Sequence, residues 1–352
     1  MHKSSLCPIR PICASGARSS VNEPNGWPLR DGSAGQVDSV IIGFDVGGTN
    51  VRGVALHRNS VEPLAIRRAK TRPDGDVLVE TIVEVAEQLA GDVGEPIEAI
   101  GLGMAALMDE DGVFRYAPNI PGVTNYPLVE RVVDRLGVTV IAENDATTAT
   151  WAEAQFGAGV GYDHMVFVAL GTGIGTGFVV DGRLLRGAHG YAGESGHMTV
   201  QRDGPQHITG ANGPWEYYAS GTGLGKLARR WAAEGRVDAL VERAGSVDAI
   251  RGEHVNELLD EEEPGIEALI KRFATEVAIG IADLVYVLDP QVVVLGGGLI
   301  DLGECLRSSV EESLAGRILG ADYRPAVPVL AATLGSYAGA IGAAALAADA
   351  SA

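Results

Sequence analysis

VIIGFDVGGTNVRGVAL, residues 40–56, joins two apolar runs through a short turn that contains two glycines. An apolar run that ends in Asp-Val-Gly-Gly is typical of a buried strand leading into a tight turn, and the second run returns as the other arm of a hairpin. A similar pattern recurs in HMVFVALGTGIGTGFVV, residues 164–180. The recurrence predicts two similar lobes, each built on a strand, a glycine turn and a hairpin.

Further along the chain, strand-like and helix-like patterns alternate. Apolar runs that predict buried strands occur at 97–104, 138–144, 291–299 and 327–333, and helical periodicity occurs at 77–90, 267–289 and 336–348. Alternation of this kind predicts an α/β protein. We expect a small lobe at 39–142, completed by a C-terminal helix at 335–352, and a large lobe at 143–334.

The composition excludes several classes of function. The chain has 352 residues and a formal net charge of −19, whereas a nucleic-acid groove or a surface for anionic membranes would need clustered Lys and Arg. No apolar run reaches the ~18 residues of a membrane span. The three cysteines form no disulfide framework and no ligand pair with metal spacing, which is typical of the reducing cytoplasm. Cys305 lies in a helical pattern, which favours an inert thiol.

Residues 1–38 differ from the rest of the chain. They contain Pro, Ser, Gly and Arg without sustained apolar periodicity, which predicts a disordered N-terminal extension. A secretory signal is disfavoured because the segment has no apolar core region. A transit peptide and a start codon assigned too far upstream remain open as interpretations.

Three glycine turns each follow an apolar strand: DVGGTN at 45–50, LGTGIGTG at 170–177 and LGGGL at 295–299. Because glycine has no Cβ, consecutive backbone N–H groups can approach a phosphate or a flat base closely. Asp45 ends the first strand, where a carboxylate can hold a hydrated Mg²⁺. The turns predict a nucleotide site, with the candidate residues Gly47, Gly48, Thr49, Asn50, Arg52, Gly171, Thr172, Gly173, Gly296, Gly297 and Gly298.

GLGMAA at 101–106 also follows a strand and is close to a dinucleotide-binding fingerprint. That fingerprint needs an acidic residue about 20 positions further on, at the end of the next strand. The chain has the loop sequence APNIPG there, and GTGIGTG does not have the required spacing either. A nicotinamide-dependent enzyme is therefore disfavoured.

END at 143–145 lies where a predicted strand meets a predicted helix. A phosphoryl-transfer enzyme needs a base beside the acceptor hydroxyl and a polar group that orients it. Asp145 is the candidate base, and Asn144 is the candidate orienting group. The alternative is that Asp145 only caps the helix that follows.

These motifs follow one another in a characteristic order. DVGGT, ENDA, GTGIGTG, GESGH, WEYYASG and LGGG occur in turn between residues 39 and 345, and with them the chain resembles the ROK sugar kinases. The resemblance implies a two-lobed, actin-like ATPase fold (ribonuclease H-like) with the active site in the cleft. It also implies that Asp145 is the catalytic base and that sugar hydroxyls contact Asn144, Glu194, His197 and Glu216.

The activity implied by the resemblance is ATP-dependent phosphorylation of glucose to glucose 6-phosphate by a cytoplasmic homodimer. ATP and Mg²⁺ would lie on the glycine turns, with LGGGL near the adenosine, and Asn119 of APNIPG matches a further position near the sugar. Alternatives are a kinase for fructose, mannose or N-acetylhexosamine, polyphosphate as the donor, and a non-catalytic sugar-sensing ROK protein. A ROK transcriptional regulator is disfavoured because residues 1–38 are too short and irregular for a helix-turn-helix.

GESGHMTVQRDGPQHITGANGPWE, residues 193–216, keeps the spacing of the zinc-binding segment typical of ROK kinases. In the family a histidine and three cysteines bind the ion. Here the histidine is His197, and the cysteine positions hold His207, Thr209 and Pro214. A structural zinc needs four good ligands, so we expect no structural zinc.

The family's metal fixes a loop that presents a glutamate, which is Glu216 in this chain. Without the ion, another interaction must hold this loop. Pro205 and Pro214 could stiffen it, and Trp215 could anchor it by packing. His207 is then expected to be structural.

Overall fold

The computed structural model describes residues 38–109, 112–117, 119–120, 123–207 and 210–351. The predicted disordered extension, apart from its last residue, lies outside the described residues. Two five-stranded sheets form the framework of the described part of the chain. They have the same strand order and the same strand directions, so the repeat seen in the sequence is confirmed in the fold.

The first sheet is built from the N-terminal half of the described chain. Its elements, in chain order, are β1 (Val40–Val46), β2 (Asn50–Leu56), β3 (Ala65–Lys70), α1 (Gly75–Val93), β4 (Ile97–Met104), β5 (Leu107–Met108), β6 (Phe114–Tyr116), α2 (Leu128–Leu136), β7 (Thr139–Asn144) and α3 (Asp145–Phe156). The sheet order is β3-β2-β1-β4-β7, and β5 and β6 pair separately. β1 runs antiparallel to β2 and parallel to β4, which is in turn parallel to β7.

The second sheet repeats this arrangement in the C-terminal half. Its elements are β8 (Met165–Leu170), β9 (Ile174–Val180), β10 (Arg183–Leu184), α4 (Trp215–Ala219), α5 (Gly221–Ala233), α6 (Ala239–Ala244), α7 (Gly252–Asp260), α8 (Ile266–Leu288), β11 (Val292–Gly296), α9 (Gly303–Ala315), β12 (Val329–Ala331) and α10 (Ala338–Ala350). The sheet order is β10-β9-β8-β11-β12. The predicted boundary between residues 142 and 143 falls inside β7, two residues before its end.

β1 is buried on both of its faces, which explains why it reads as a continuous apolar run. Val40, Ile42 and Phe44 join the cluster formed with α1 and α2, whereas Ile41 joins the cluster formed with α10. α1 is bounded by an Asp74 side chain that accepts from Val77 N–H and by Gly94 in the left-handed conformation. The sheet is therefore covered on both sides.

α3 and α10 pack against each other and against the two sheets. α10 contacts β1 and β4 of the first sheet, and α3 contacts β8 and β9 of the second. Glycines allow the close approach: a Cβ at Gly43 would lie 1.9 Å from the Ala340 carbonyl oxygen, and one at Gly177 would lie 2.0 Å from Thr150 Oγ1. The two helices therefore join the sheets, and each begins near a strand end.

α8 is the longest helix of the described chain, with 23 residues. It carries an apolar stripe that packs into the core of the second sheet through side chains such as Phe273, Val277 and Ile281. Within the described residues, no helix is both long and apolar enough to cross a membrane.

Candidate active site

The junction between β7 and α3 carries the predicted base. Asn144 is the N-cap residue of α3, and its Oδ1 accepts hydrogen bonds from the N–H groups of Ala146 at 2.9 Å and Thr147 at 3.1 Å. Asp145 is the first helical residue, and its Oδ1 accepts from Ala146 N–H at 2.8 Å. Because the N-cap residue precedes the first helical residue, the helix is capped by Asn144 rather than by Asp145.

Asp45 lies one residue before the end of β1, opposite Arg52 in the β1–β2 hairpin. Arg52 Nη1 donates to Asp45 Oδ2 at 3.2 Å. The first turn of α10 lies beside this carboxyl group, since a Cβ at Gly339 would be 3.6 Å from the Asp45 Cγ atom. The positive charge predicted for phosphate binding at Arg52 is therefore paired with Asp45.

Asp45 and Asp145 influence each other electrostatically. Burial raises the pKa of Asp45 to about 6, the charge of Asp145 adds to the shift, and Arg52 opposes it. Burial also raises the pKa of Asp145, against hydrogen bonds from backbone N–H groups that lower it. The structure thus brings the predicted magnesium carboxylate and the predicted base together, and a raised pKa makes Asp145 a stronger base than an exposed aspartate.

Four side chains between residues 193 and 216 form two contacting pairs. His197 Nε2 lies 3.5 Å from Glu194 Oε2, and His207 Nε2 lies 3.7 Å from Glu216 Oε1. Burial raises the pKa of Glu194; His197 lowers it, and the charges of Asp145 and Glu216 raise it further. An interaction of this kind falls off with distance, so Glu194 lies near both carboxylates.

Glu216 also contacts the second glycine turn. Its Oε2 accepts a hydrogen bond from Ile174 N–H at 2.9 Å. A Cβ at Gly173 would lie 2.2 Å from the same oxygen, so only glycine leaves room for the carboxylate at that position. Glu216, which is predicted to bind the sugar, is therefore hydrogen-bonded to a turn that is predicted to bind the nucleotide.

The second and third glycine turns meet at a cavity of about 610 Å³, a volume typical of a small-molecule site. The turns are close because a Cβ at Gly297 would lie 2.5 Å from the Leu170 carbonyl oxygen. Predicted residues that line the cavity are Gly171, Thr172 and Gly298. Among the described residues, Gly173, Gly296 and Gly297 do not line it.

The first glycine turn forms its own small structure. Gly47 N–H donates to the Asn50 carbonyl at 3.0 Å, and the Thr49 carbonyl accepts from Thr71 N–H at 3.0 Å. Gly48 packs on Asn119, since a Cβ at Gly48 would lie 2.8 Å from the Asn119 Cβ. The structure therefore places Asn119 against this turn; neither is part of the cavity lining among the described residues.

Several cavity residues were not predicted. They lie on α5, on α7 and after β11, and include Gly221, Thr222, Arg229, Arg251, Asn256 and Asp301. The N-terminus of α5 is joined to the second glycine turn, because Gly221 N–H donates to the Gly171 carbonyl at 2.7 Å and Thr222 Oγ1 to the Thr172 carbonyl at 2.9 Å. The signal was SGTGLG at 220–225, a glycine-rich helix start of the kind that binds anions.

The donor set for the family's zinc is incomplete. His197, His207 and Glu216 place one ligand atom each within 4.8 Å of one another, and they are the group of three metal-ligating side chains found among the described residues. None is a thiolate, Glu216 is already bonded to Ile174 N–H, and Pro214 has no donor atom in its side chain. Thr209 lies outside the described residues. This set does not fit a closed four-ligand zinc site.

The repeated five-stranded unit and the two helices that join the sheets define the class of protein: a two-lobed α/β protein with the actin-like ATPase fold that the resemblance implies. The chain belongs to the ROK family, whose sequence profile matches residues 41–350.

Individual members of the family are similar over almost the whole described chain. The glucokinase of Streptomyces coelicolor is 34% identical over 316 residues, which cover 87% of this chain and 96% of that protein. The glucokinase of Thermotoga maritima is 31% identical over 312 residues, with coverages of 87% and 96%. A solved ROK family glucokinase from Streptomyces griseus, in complex with glucose and AMPPNP, has a TM-score of 0.78 and 34% identity and covers 88% of this chain and 100% of that one.

Proposed function

We propose that the protein transfers the γ-phosphate of ATP to a hexose, with glucose as the first candidate. One observation carries the proposal: the second glycine turn contacts the Glu216 carboxylate through Ile174 N–H and lines the cavity through Gly171 and Thr172. A carboxylate that suits sugar hydroxyls and a cavity that suits a nucleotide therefore share one turn. The similarity to glucokinases, one of them solved with glucose and AMPPNP, supports this assignment.

The cavity is the proposed nucleotide site. Its lining includes the start of α5, a helix of 13 residues, where the helix dipole favours a phosphate. Asp45 is the residue that would hold hydrated Mg²⁺, an ion that neutralises charge on the transferred phosphoryl group. We expect Gly298 to approach the adenosine, because its missing Cβ leaves open space.

The proposed acceptor site is formed by Glu194, His197, Glu216 and Asn144, with Asn119 beside the first glycine turn. Carboxylates and imidazoles bind neutral hydroxyls by accepting and donating hydrogen bonds. Asp145 lies near Glu194 and takes the proton of the C6 hydroxyl as the oxygen attacks the γ-phosphorus and the bond to ADP breaks. Most of the rate enhancement is expected from positioning and charge neutralisation.

The test is an ADP-release assay with ATP and Mg²⁺ over glucose, fructose, mannose and N-acetylhexosamines, with Asp145→Asn beside the wild type. Asn keeps the shape of Asp but cannot take up the proton, so kcat should fall by about 10²- to 10⁴-fold. Asp181→Asn is the matched control, because Asp181 lies exposed in the turn between β9 and β10 with a positive φ that Asn tolerates. Its kcat should equal that of the wild type.

Each outcome decides one part of the proposal. Preference for another hexose would correct the substrate and leave the kinase in place. Turnover with polyphosphate instead of ATP would contradict the nucleotide site. Glucose binding without any turnover would contradict the enzyme altogether and indicate a sugar sensor.

A further inference from the structure

The segment from His197 to Glu216, which we refer to as the 197–216 loop, folds back on itself as a backbone-bonded hairpin. Trp215 N–H donates to the Met198 carbonyl at 2.8 Å, and Val200 N–H donates to the Gly213 carbonyl at 3.0 Å. Nearer the tip, His207 N–H donates to the Ala211 carbonyl at 2.7 Å. These bonds close the base of the loop between the residue after His197 and the residue before Glu216.

Trp215 anchors this closed base to the large lobe. Its side chain is fully buried and is among the largest completely buried side chains of the described chain. The indole Nε1–H donates to the Glu276 carbonyl of α8 at 3.0 Å. One turn further along α8, Gly280 provides the surface on which the indole rests, since a Cβ there would lie 2.2 Å from the Trp215 Cδ2 and Cε2 atoms.

Glu216 follows Trp215 directly in α4, so the position of the indole sets the position of the glutamate backbone. The carboxylate is then fixed at its far end by Ile174 N–H at 2.9 Å. Besides its contact with His207, two interactions that involve no metal therefore hold Glu216 in place: the packing of the indole on Gly280 and the hydrogen bond to the second glycine turn.

We propose that the contact between Trp215 and Gly280 is the positioning device for Glu216 and performs, without an ion, the orienting role for which the zinc ligands are incomplete in this chain. Trp215 and Gly280 are positioning residues, because they act on the sugar only through Glu216. The inference rests on the proposed function, in which Glu216 contacts the hexose. Of the three candidates considered from the sequence, Pro205, Pro214 and Trp215, it assigns the anchor to Trp215.

The main test is Gly280→Ala, assayed with the hexose and ATP varied separately. The added methyl overlaps the indole, so α4 must shift and Glu216 must move with it. A displacement of this size should raise the hexose KM by about tenfold or more, with the KM for ATP within about twofold of the wild-type value. Gly91→Ala is the matched control, since Gly91 is also helical and a Cβ added there would meet no atom within 4 Å.

A second variant keeps the test decisive if Gly280→Ala folds poorly. Trp215→Phe loses the hydrogen bond to Glu276 and part of the ring, and should raise the hexose KM as well. In a Trp215→Ala background the indole atoms that the added methyl group meets are absent. Gly280→Ala should then raise the hexose KM by much less than it does in the wild type.

The metal is tested on the wild type by mass spectrometry of bound zinc and by incubation with 1,10-phenanthroline. We expect no change in the hexose KM or in the thermal unfolding midpoint after chelation. The proposal is overturned if Gly280→Ala and Trp215→Phe both leave the hexose KM at the wild-type value, or if chelation removes about one zinc per chain and weakens hexose binding.

Failure of the proposed function gives a different result. In that case the wild type turns over no hexose, whatever the variants do. Chelation alone then tests whether Trp215 anchors the loop without a metal. An unfolding midpoint that is unchanged after chelation supports this role, and a lowered midpoint overturns it.

Discussion

The two sheets share one topology but differ in charge beside the glycine turn that joins the first two strands of each sheet. In the first sheet the second pair from the turn is Asp45 opposite Arg52. In the second sheet the same pair is Ala169 opposite Gly175. Strand pairing therefore does not require a charged residue at this position. Because a buried carboxylate costs free energy that Arg52 offsets only in part, the comparison supports our proposal that Asp45 serves chemistry rather than folding.

A second difference lies in the connection between the third and fourth strands of each sheet. In the first sheet it runs from Lys70 to Ile97 and contains α1 as its only helix within the described residues. In the second sheet it runs from Leu184 to Val292 and contains the 197–216 loop and α4 to α8. The repeat supplies the scaffold and Asn144, and this long connection supplies the other proposed hexose residues Glu194, His197 and Glu216 and much of the cavity.

Among the variants that test this comparison of the two sheets, Asp45→Asn has the largest expected effect, a loss of activity. This change removes the negative charge that the first sheet has, and the second sheet lacks, in the second pair from the turn. The amide cannot neutralise Mg²⁺, so kcat should fall by about 10²- to 10³-fold in the ADP-release assay, while Asp181→Asn remains at the wild-type rate. A kcat within a factor of about three of wild type would show that the asymmetry between the turns has no part in phosphoryl transfer.

Most elements of the repeat were predictable because they depend on local patterns. Apolar runs predicted β1, β4, β8 and β11, and the junction of strand and helix at 143–145 was predicted correctly. The glycines of GLGMAA show the limit of such patterns. Gly101 is adjacent to the Ala343 carbonyl of α10, and Gly103 to Thr148 of α3. These glycines serve helix packing, which no local pattern reports.

The candidate site was predictable only where its residues follow strands or belong to a family motif. Asp45, Asp145 and Glu216 were found in this way. The cavity residues at the N-cap of α7 and within it, such as Arg251 and Asn256, were missed because they come together with the glycine turns only through the tertiary fold. Thr172 and Arg251 are more than 70 residues apart in the sequence, so no local pattern indicates that both line the cavity.

The second prediction compares how closely the first sheet packs against α10 with how closely the second sheet packs against α3. Gly101→Ala places a Cβ 1.9 Å from the Ala343 carbonyl oxygen, a backbone atom that cannot turn away. We expect the free energy of unfolding to fall by about 3 kcal/mol. Gly177→Ala in the second sheet meets mainly the Thr150 side chain, at 2.0 Å, and should cost about 1–2 kcal/mol.

Urea unfolding of both variants, with Gly91→Ala as the unobstructed reference, measures this difference. The reference should be slightly more stable than the wild type, because alanine favours a helix more than glycine does. Equal losses of unfolding free energy in Gly101→Ala and Gly177→Ala would show that the contacts with α10 and α3 accommodate an added methyl group equally well.

The smallest expected effect is a gain in stability in the same variant that loses the most activity. The pKa of Asp45 is raised from 3.8 to about 6 in the fold, so the folded state binds this proton more tightly than the unfolded chain. Its contribution therefore favours folding below pH 4 and is lost as pH rises through about 6. At pH 8 the charged carboxylate of Asp45 destabilises the folded state, and Asp45→Asn removes this cost. The variant should be more stable than the wild type by about 1–2 kcal/mol, less than the full shift implies because the side chain is 23% exposed.

The stability advantage of Asp45→Asn depends on pH. In the metal-free protein it should shrink as pH falls through about 6 and disappear near pH 4. Urea unfolding of the wild type and the variant at pH 4, 6 and 8, without Mg²⁺, measures this dependence. A stability difference that stays constant with pH would mean that the variant acts through lost contacts with Arg52 rather than through charge. In the second sheet, Ala169 carries no such charge, so the stability cost belongs only to the turn that we propose to hold the metal.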